Sequence, residues 1–440
     1  MKVVHLPYGY FPDVGGGTEI YVRGLIRELK RRGIEGSVFA PGRQAARYED
    51  EGIAVRRFVV GPVRDVSDLY GPGDPESARQ LADMLEEERP ELVHLHAYNR
   101  GISLLSVHEA RCRNLPVVLS YHHAGVTCQR GTMMQGGRRP CRGSLEVRTC
   151  SRCSLHGLGL SRLTSFLMGS LPPGLGLRLR RWGRTGGAWT ALRMTDLMRT
   201  RIEATRSLLE QVDHFIVPRG WVRDVLLENG VAAARITTCP QGVESGQPRP
   251  SPPRGPGPLR IAYLGVFDPA KGPDLLVDAL LLLPGLPAEL ALFGEARDER
   301  QDRYLRTLRR RAKEDGRIQF HAPVPHAEVP RLLDGFDVIA IPSRLLETGP
   351  LVALDGFAAG LPVLGSALGG VAELVQHEIN GLLVYASTPR AWAEAIGRLV
   401  REPDTLRRLR AGVRPPRTLS QVADEIQNLY RRLIRERAAT

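Results

Sequence analysis

Two short segments carry residue types suited to an anionic, hydroxyl-rich ligand. In the first, residues 259–265 (LRIAYLG) run into Val266, Phe267, Asp268, Pro269, Ala270, Lys271 and Gly272. An apolar run followed by this turn puts Lys271 where a strand ends and a helix begins. Its ammonium and the unbonded backbone N–H groups of the helix start could neutralise a diphosphate. Taken alone, the same lysine reads as a surface residue before a glycine turn. In the second segment, residues 343–350 (SRLLETGP) lead from the apolar run 339–342 into a helical pattern over 351–359. Pro350 suits the start of a helix, where no N–H donor is needed. Several free N–H groups of this helix start would then point at the cleft beside Glu347, and Asp355 follows about two helical turns further on. These carboxylates could hold sugar hydroxyls. Without their neighbours, they read as a cap and an exposed helix face.

Loops of this kind need strands that end beneath them. Residues 2–6, 36–40, 55–60, 92–95, 117–121 and 214–217 are strand candidates, interleaved with helical spacing over 18–32, capped by Thr18, and a polar helix over 75–88. The alternation implies a parallel sheet covered on both faces. Residues 246–258 (GQPRPSPPRGPGP) can build neither helix nor central strand and read as a linker. A second alternating set follows at 259–264, 288–293, 318–321, 338–341, 363–366 and 381–384. The expected organisation is an N-terminal Rossmann-like domain over 1–245, the linker 246–258, a second Rossmann-like domain over 259–400, and helices over 401–440 that cross back to the first domain. Open sheets of this α/β class bind ligands beyond the C-terminal ends of their strands, so a cleft between the two sheets is the expected site. Leu419, Val422, Ile426, Leu429 and Leu433 share one face of the last helix and call for a packing partner.

The chain has 440 residues, of which 42% are hydrophobic and 25% charged, enough for two globular domains with real cores. Six cysteines are too few for a disulfide scaffold, and MKVVHLPYGYFP lacks the regions of a signal peptide. No run approaches the length of a membrane span. A cytoplasmic protein is expected, with any membrane contact peripheral, at the inner face.

The net charge of +13 is uneven: residues 138–206 hold fourteen arginines, no lysine and three acidic residues, a net +11. They fall in an irregular stretch, 129–206, read as an insertion with some helix. Its basic surface suits anionic lipid headgroups or a phosphate-bearing acceptor, or is merely solvated. Few aromatics interleave with the arginines, which argues against nucleic acid. Between 158 and 192, leucines alternate with glycine and arginine. Such an order fits an amphipathic segment lying on an anionic membrane, or a helix pair whose leucines face the core. Cys128, Cys141, Cys150 and Cys153 lie within 26 residues, and the last two have zinc-ligand spacing. A structural zinc, reduced thiols or a redox-sensitive disulfide would each account for them, with His123 and His156 as alternative ligands. Cys112 and Cys239 read as buried thiols.

Residues 343–375 (SRLLETGPLVALDGFAAGLPVLGSALGGVAELV) resemble the donor-site signature of retaining glycosyltransferases of family 4, which have the two-domain GT-B fold. PDVGGGTEIYVRGLIRELKRRG is similar to that family's acceptor-domain glycine loop and first helix, HFIVPRGWVRDVLLENGV to its strand before the linker, CPQGVE to its PNGVD-like turn, and YLGVFDPAKG to its phosphate-binding loop. The similarity covers nearly the whole chain except 129–206. The resemblance implies a glycosyltransferase that moves a sugar from a nucleoside-diphosphate sugar to an acceptor hydroxyl of a glycan, lipid-linked or small-molecule acceptor. Glu347 would contact the sugar, Lys271 the diphosphate, and Asp355, where the family usually has glutamate, the ribose. Gly15, Gly16, Gly17, Gly265, Gly349, Pro350, Leu351 and Val352 would frame the donor, and His122 matches the active-site histidine, with His123 adjacent. Val266 stands where the family usually has an arginine beside the lysine, so Arg344 or Arg219 would have to compensate. The resemblance calls for no catalytic metal. An impaired sugar-nucleotide-binding scaffold and an epimerase on the same fold are the alternative readings.

Overall fold

The computed structural model describes residues 1–13, 16–182, 186–244 and 257–439, so Gly15 and all but two residues of the expected linker 246–258 lie outside the described residues. The chain divides into two compact units, Met1–Pro240 with Leu419–Thr440, and Gln241–Thr418.

The first unit contains β1 (Lys2–Leu6), β2 (Glu35–Gly42), β3 (Ala46–Asp50), β4 (Ile53–Val59), β5 (Leu92–Leu95), β6 (Val117–Ser120), the two-residue strands β7 (Met134–Gln135) and β8 (Arg139–Pro140), β9 (His214–Val217) and β10 (Ile236–Thr238). Eight strands form one sheet in the order β10-β9-β6-β5-β1-β2-β4-β3. All its pairings are parallel except β3 with β4. Strands such as LVHL and VVLS are buried at every position because both faces are covered, so no polar alternation marks them. By contrast β3, ARYED, is an edge strand with no buried residue, and no apolar run announces it.

Within 129–206 the chain makes the β7–β8 hairpin and helices Val147–Gly157, Arg162–Met168 and Leu175–Arg181. The next helix, Ala188–Gln211, begins inside this region and leads back to β9. Its Met194, Leu197, Met198, Ile202, Leu208 and Leu209 enter the unit's core, so the last part of 129–206 belongs to that core. Arg193 on the same helix is buried and clasps Asp65 through 2.8 and 3.1 Å hydrogen bonds. This arginine is a structural tie, not part of a solvated face.

The final helix, Leu419–Ala438, packs against the helix Gly17–Lys30 with Leu419, Val422, Ile426, Leu429 and Leu433 buried. Arg32 fastens its start through Asp424 at 2.8 Å and the Ser420 carbonyl at 2.9 Å. The preceding helix, Pro403–Gly412, belongs instead to the second unit. Leu409 sits in that unit's core, and a Cβ on Gly412 would stand 1.9 Å from the Ile379 carbonyl oxygen.

The second unit contains β11 (Leu259–Leu264), β12 (Ala288–Phe293), β13 (Ile318–His321), β14 (Val338–Ile341), β15 (Val363–Ser366) and β16 (Gly381–Val384), all parallel, in the order β13-β12-β11-β14-β15-β16. Numbered within the unit this is 3-2-1-4-5-6, the doubly wound order. Its direction reverses between β11 and β14, so the loops after these two strands flank the switch point where such sheets bind ligands. Core clusters lie on its covered faces, one centred on Leu276, Leu290 and Trp392 and the other on Ile339, Val363 and Val371.

Candidate active site

The two switch-point loops are those that carry Lys271 and Glu347. After β11 the chain turns at Gly265, and the Asp268 carbonyl accepts the Lys271 N–H at 2.9 Å. Gly272 then caps the helix Pro273–Leu281 at φ +71°, in the left-handed region. A Cβ there would lie 2.1 Å from the Pro342 carbonyl oxygen of the other loop, so glycine lets the two loops close on each other. The closure is fastened by Arg344, whose N–H bonds the Ala270 carbonyl at 2.7 Å and whose guanidinium grips both oxygens of Asp274 at 2.6 and 2.7 Å. Burial opposes the Asp274 charge, yet Arg344 and the Tyr304 hydroxyl hold its carboxyl below the ordinary range. Arg344 is therefore a loop tie rather than a replacement for the arginine missing at Val266. Arg219 lies buried in the first unit.

Lys271 Nζ donates to Glu347 Oε1 at 2.7 Å, and the Ser343 hydroxyl donates to the same oxygen at 2.6 Å. Glu347 is nearly buried, at 8% exposure, and its carbonyl accepts the Gly370 N–H at 2.7 Å. The Gly369-Gly370 pair after β15 makes that approach feasible: a Cβ on Gly370 would stand 2.5 Å from the Glu347 carbonyl oxygen. Pro350 is the N-cap of the helix Leu351–Ala358, one position before the first turn. Asp355, on this helix, lies 3.4 Å from His326 Nε2, a partner that sequence spacing does not suggest. Gly349 faces the buried Gln241, whose amide oxygen would be 1.9 Å from a Cβ at that position. Ser343 and Gln241 are site residues absent from the sequence-level set. The signal for Ser343 is its place four residues before Glu347, at the end of a buried strand.

In the first unit the register His5↔His94 and the i, i+2 spacing of His94 and His96 put three histidines on one face of β1 and β5. His122, just past β6, extends the row. His5 Nδ1 and His96 Nε2 are 3.0 Å apart, as are His96 Nδ1 and His122 Nε2. His94 bonds Ser120 Oγ at 2.8 Å and the hydroxyl of Tyr430 from the last helix. Burial lowers His122 to about 4 and His5 to about 3, and His94 and His96 fall well below the usual range, so all four are neutral at physiological pH. Adjacent His123 is exposed and does a different job, accepting the Gly125 N–H at 2.9 Å as a cap. Gly16 caps the helix that begins at Gly17, and the Glu19 carboxylate of its first turn folds back over Gly16. Gly15 lies outside the described residues.

Cys128, Cys141, Cys150 and Cys153 are free and partly shielded, and each of the other three sulfurs acts electrostatically on Cys150. Gly136 and Gly143 donate backbone N–H bonds to Cys153 and Cys141 at 3.3 and 3.4 Å. Among the described residues, however, the set of three His, Cys, Asp or Glu ligand atoms lying within 4.8 Å of one another is His5, His94 and His96. Of those nitrogens, His5 Nδ1 and His96 Nε2 face each other, and both His94 nitrogens are engaged by Ser120 and Tyr430. Neither His123, which caps a helix, nor His156, whose ring bonds the Leu160 carbonyl at 3.0 Å, joins the cysteines. Cys112 is exposed rather than buried, whereas Cys239 is buried.

A family described as Glycosyl transferase 4-like domain matches residues 16–242, and one described as Glycosyl transferases group 1 matches residues 247–414. A D-inositol 3-phosphate glycosyltransferase from Xylanimonas cellulosilytica is 34% identical over 154 residues, an alignment covering 35% of this chain and 37% of that one. Another of the same name from Pseudarthrobacter chlorophenolicus is 24% identical over 412 residues, covering 89% and 83%. Anabaena Alr3699/HepE, solved in complex with UDP-glucose, superposes with a TM-score of 0.65 at 15% identity over 98% of this chain and 99% of that one. Sucrose-phosphate synthase from Thermosynechococcus elongatus superposes with a TM-score of 0.66 at 20% identity over 100% of both chains. The two parallel-sheet units are thus those of the GT-B fold, and the chain belongs to the group 1, family 4-like glycosyltransferases.

Proposed function

We propose that the protein transfers a sugar from a nucleoside-diphosphate sugar to an acceptor hydroxyl, with retention of anomeric configuration. The observation that carries this reading is the Lys271–Glu347–Ser343 set at the switch point of the second unit's sheet. Without ligand, the ammonium and carboxylate neutralise each other. A diphosphate competes for Lys271, and Glu347, still oriented by Ser343, becomes free to accept hydrogen bonds from the donor sugar. The backbone from Gly349 to Val352 offers N–H groups at a helix start, Gly265 gives the phosphates backbone access, and Asp355 takes the ribose. In the first unit Gly15, Gly16 and Gly17 receive the phosphate side, and His122 faces the transferred sugar.

In the reaction, the bond from the anomeric carbon to the phosphate oxygen breaks and the acceptor oxygen bonds on the same face. The acceptor proton passes to the leaving diphosphate. Charge growing on that phosphate is met by Lys271 and the helix-start dipoles, the electrostatic contribution that usually dominates such sites. The relatives' name points to a phosphate-bearing polyol as the first acceptor to try. All six cysteines are free, which suits a reducing, cytoplasmic location. Cys128, Cys141, Cys150 and Cys153 are the residues that would hold a structural zinc, and they would have to draw together to do so; metal analysis of the purified chain decides this.

The donor reading is tested by thermal shift across nucleotides and nucleotide sugars, followed by donor turnover with and without acceptor. A nucleotide-dependent rise in melting temperature is expected. Binding with no turnover across a broad acceptor panel would favour a scaffold, and interconversion of free donor without transfer would favour an epimerase.

A further inference from the structure

The insertion holds a concentration of apolar side chains that are exposed among the described residues. Leu158, Leu163, Phe166, Leu167, Leu177, Trp182 and Trp189 are all exposed, with Leu163 at 70% and Trp182 at 75%. The reading in which these leucines face the core fails at the positions that matter. Leu163, Phe166 and Leu167 fall at i, i+3 and i+4, one face of the helix Arg162–Met168. Leu177 and Trp182 flank Arg178 and Arg181 at the end of the helix Leu175–Arg181.

These helices are anchored from the other side. Ser165 and Leu179 are buried, and the Asp196 carboxylate accepts the Gly174 and Gly176 N–H groups at 2.8 and 2.7 Å. The outward face is thus held in place rather than left over. Its described charged side chains, Arg162, Arg178 and Arg181, have one sign, and the sequence holds no acidic residue between 158 and 190. Basic residues on a helical surface that also exposes leucine, phenylalanine and tryptophan complement the anionic headgroups and apolar boundary of a bilayer.

At the edge of the patch is a cavity of about 210 Å³ lined in part by Thr149, Arg152, His156, Arg162 and Phe166. The Arg152 guanidinium lies 4.1 Å over the Phe166 ring, and its Nε is buried with no hydrogen-bond partner among the described residues. Two guanidiniums and an imidazole around a small open cavity beside an apolar rim match a phosphate headgroup whose acyl chains run along the rim; the Thr149 hydroxyl is already donated to Glu146.

We propose that this face docks the enzyme on a bilayer of anionic phospholipid, with Leu163, Phe166, Leu167, Leu177 and Trp182 entering the interface and Arg152 and Arg162 taking a lipid phosphate. The docking keeps the chain peripheral, since no described helix is long and apolar enough to cross a membrane.

Flotation with the full chain tests it, using phosphatidylcholine vesicles with and without about one third phosphatidylglycerol. The expected result is binding to the anionic vesicles, weakened by salt, and little binding to the neutral ones. Leu163→Ser/Leu167→Ser/Trp182→Ser and Arg162→Glu/Arg178→Glu/Arg181→Glu should each lower partitioning by about ten-fold or more. Their melting temperatures and nucleotide affinity should stay at the parental values, because these side chains are exposed and lie outside the second unit. Failure to float, or flotation unchanged in both triple variants, overturns the proposal. Self-association abolished by the same substitutions would assign the face to a second copy and also overturns it. Saturable binding of inorganic phosphate to the cavity without vesicle binding would make it a soluble-anion site, with the same consequence.

Discussion

The switch-point loops of the second unit and the outer helices of the insertion both present cationic side chains, but they answer their charge in opposite ways. Around Glu347 the cations are answered at hydrogen-bonding distance: Lys271 faces Glu347 and Arg344 faces Asp274. Between 158 and 190 the sequence has five arginines and no acidic residue, and the exposed Arg162, Arg178 and Arg181 lie on helices that also carry exposed leucine or stand next to exposed tryptophan. The contrast separates two kinds of site. Paired charges held by glycine-limited contacts suit a small ligand that exchanges one partner for another, whereas unanswered charge on an apolar face suits a broad partner of opposite sign.

The largest break in this comparison should come from the pair itself. Lys271→Ala and Glu347→Ala are each expected to lower kcat/KM by about 100- to 1000-fold, measured with saturating acceptor. Equal activity in either variant would remove the pair from the reaction. Gly272→Ala comes next, because an added Cβ meets the Pro342 carbonyl and the residue sits at φ +71°. A stability loss of about 2–4 kcal/mol is expected in urea titration, with activity falling alongside.

Arg344→Ala and Arg193→Ala form a matched pair, since each arginine clasps an aspartate in bidentate fashion, one at the candidate site and one under the insertion. Each should cost about 3 kcal/mol by leaving a shielded carboxylate without its counter-charge. Only Arg344→Ala should also weaken nucleotide binding.

The histidine row predicts a pH dependence whose sign follows from burial. His5 and His122 have folded-state values near 3 and 4, beneath the ordinary 6.5, so below about pH 6.5 the unfolded chain binds more protons. Stability should therefore be full above about pH 7 and decline as the pH falls toward 4, read as a falling urea midpoint. His214, also lowered by burial to about 4, adds to the same trend. The smallest effect is expected at Asp355. Asp355→Ala should weaken nucleotide affinity by about ten-fold, and Asp355→Glu should retain most of it. If both variants bind as well as the parent, His326 is the sole partner that matters for Asp355.

Much of the architecture was legible because parallel strands buried on both faces appear as short apolar runs separated by helical spacing. Strand β3 was not, since an edge strand with exposed side chains lacks that signature. Glu347 and Lys271 stood out because each follows a strand and precedes a helix. Ser343, Gln241 and Asp274 did not, because their roles depend on chain segments 4 to 108 residues away in sequence meeting at one place. The choice between His122 and His123 also had to wait for the fold, which aims one ring into the histidine row and uses the other as a cap.

By itself, then, the sequence determined the alternation of strands and helices, the placement of a lysine and a glutamate at helix starts, and the unbalanced charge of residues 138–206. These are local properties, readable from spacing and composition. Only the tertiary structure decided which charges are answered. It paired Arg344 with Asp274, sank Arg193 against Asp65, and left Leu163 and Trp182 outside every core, because counter-charge and burial depend on segments brought together by the fold.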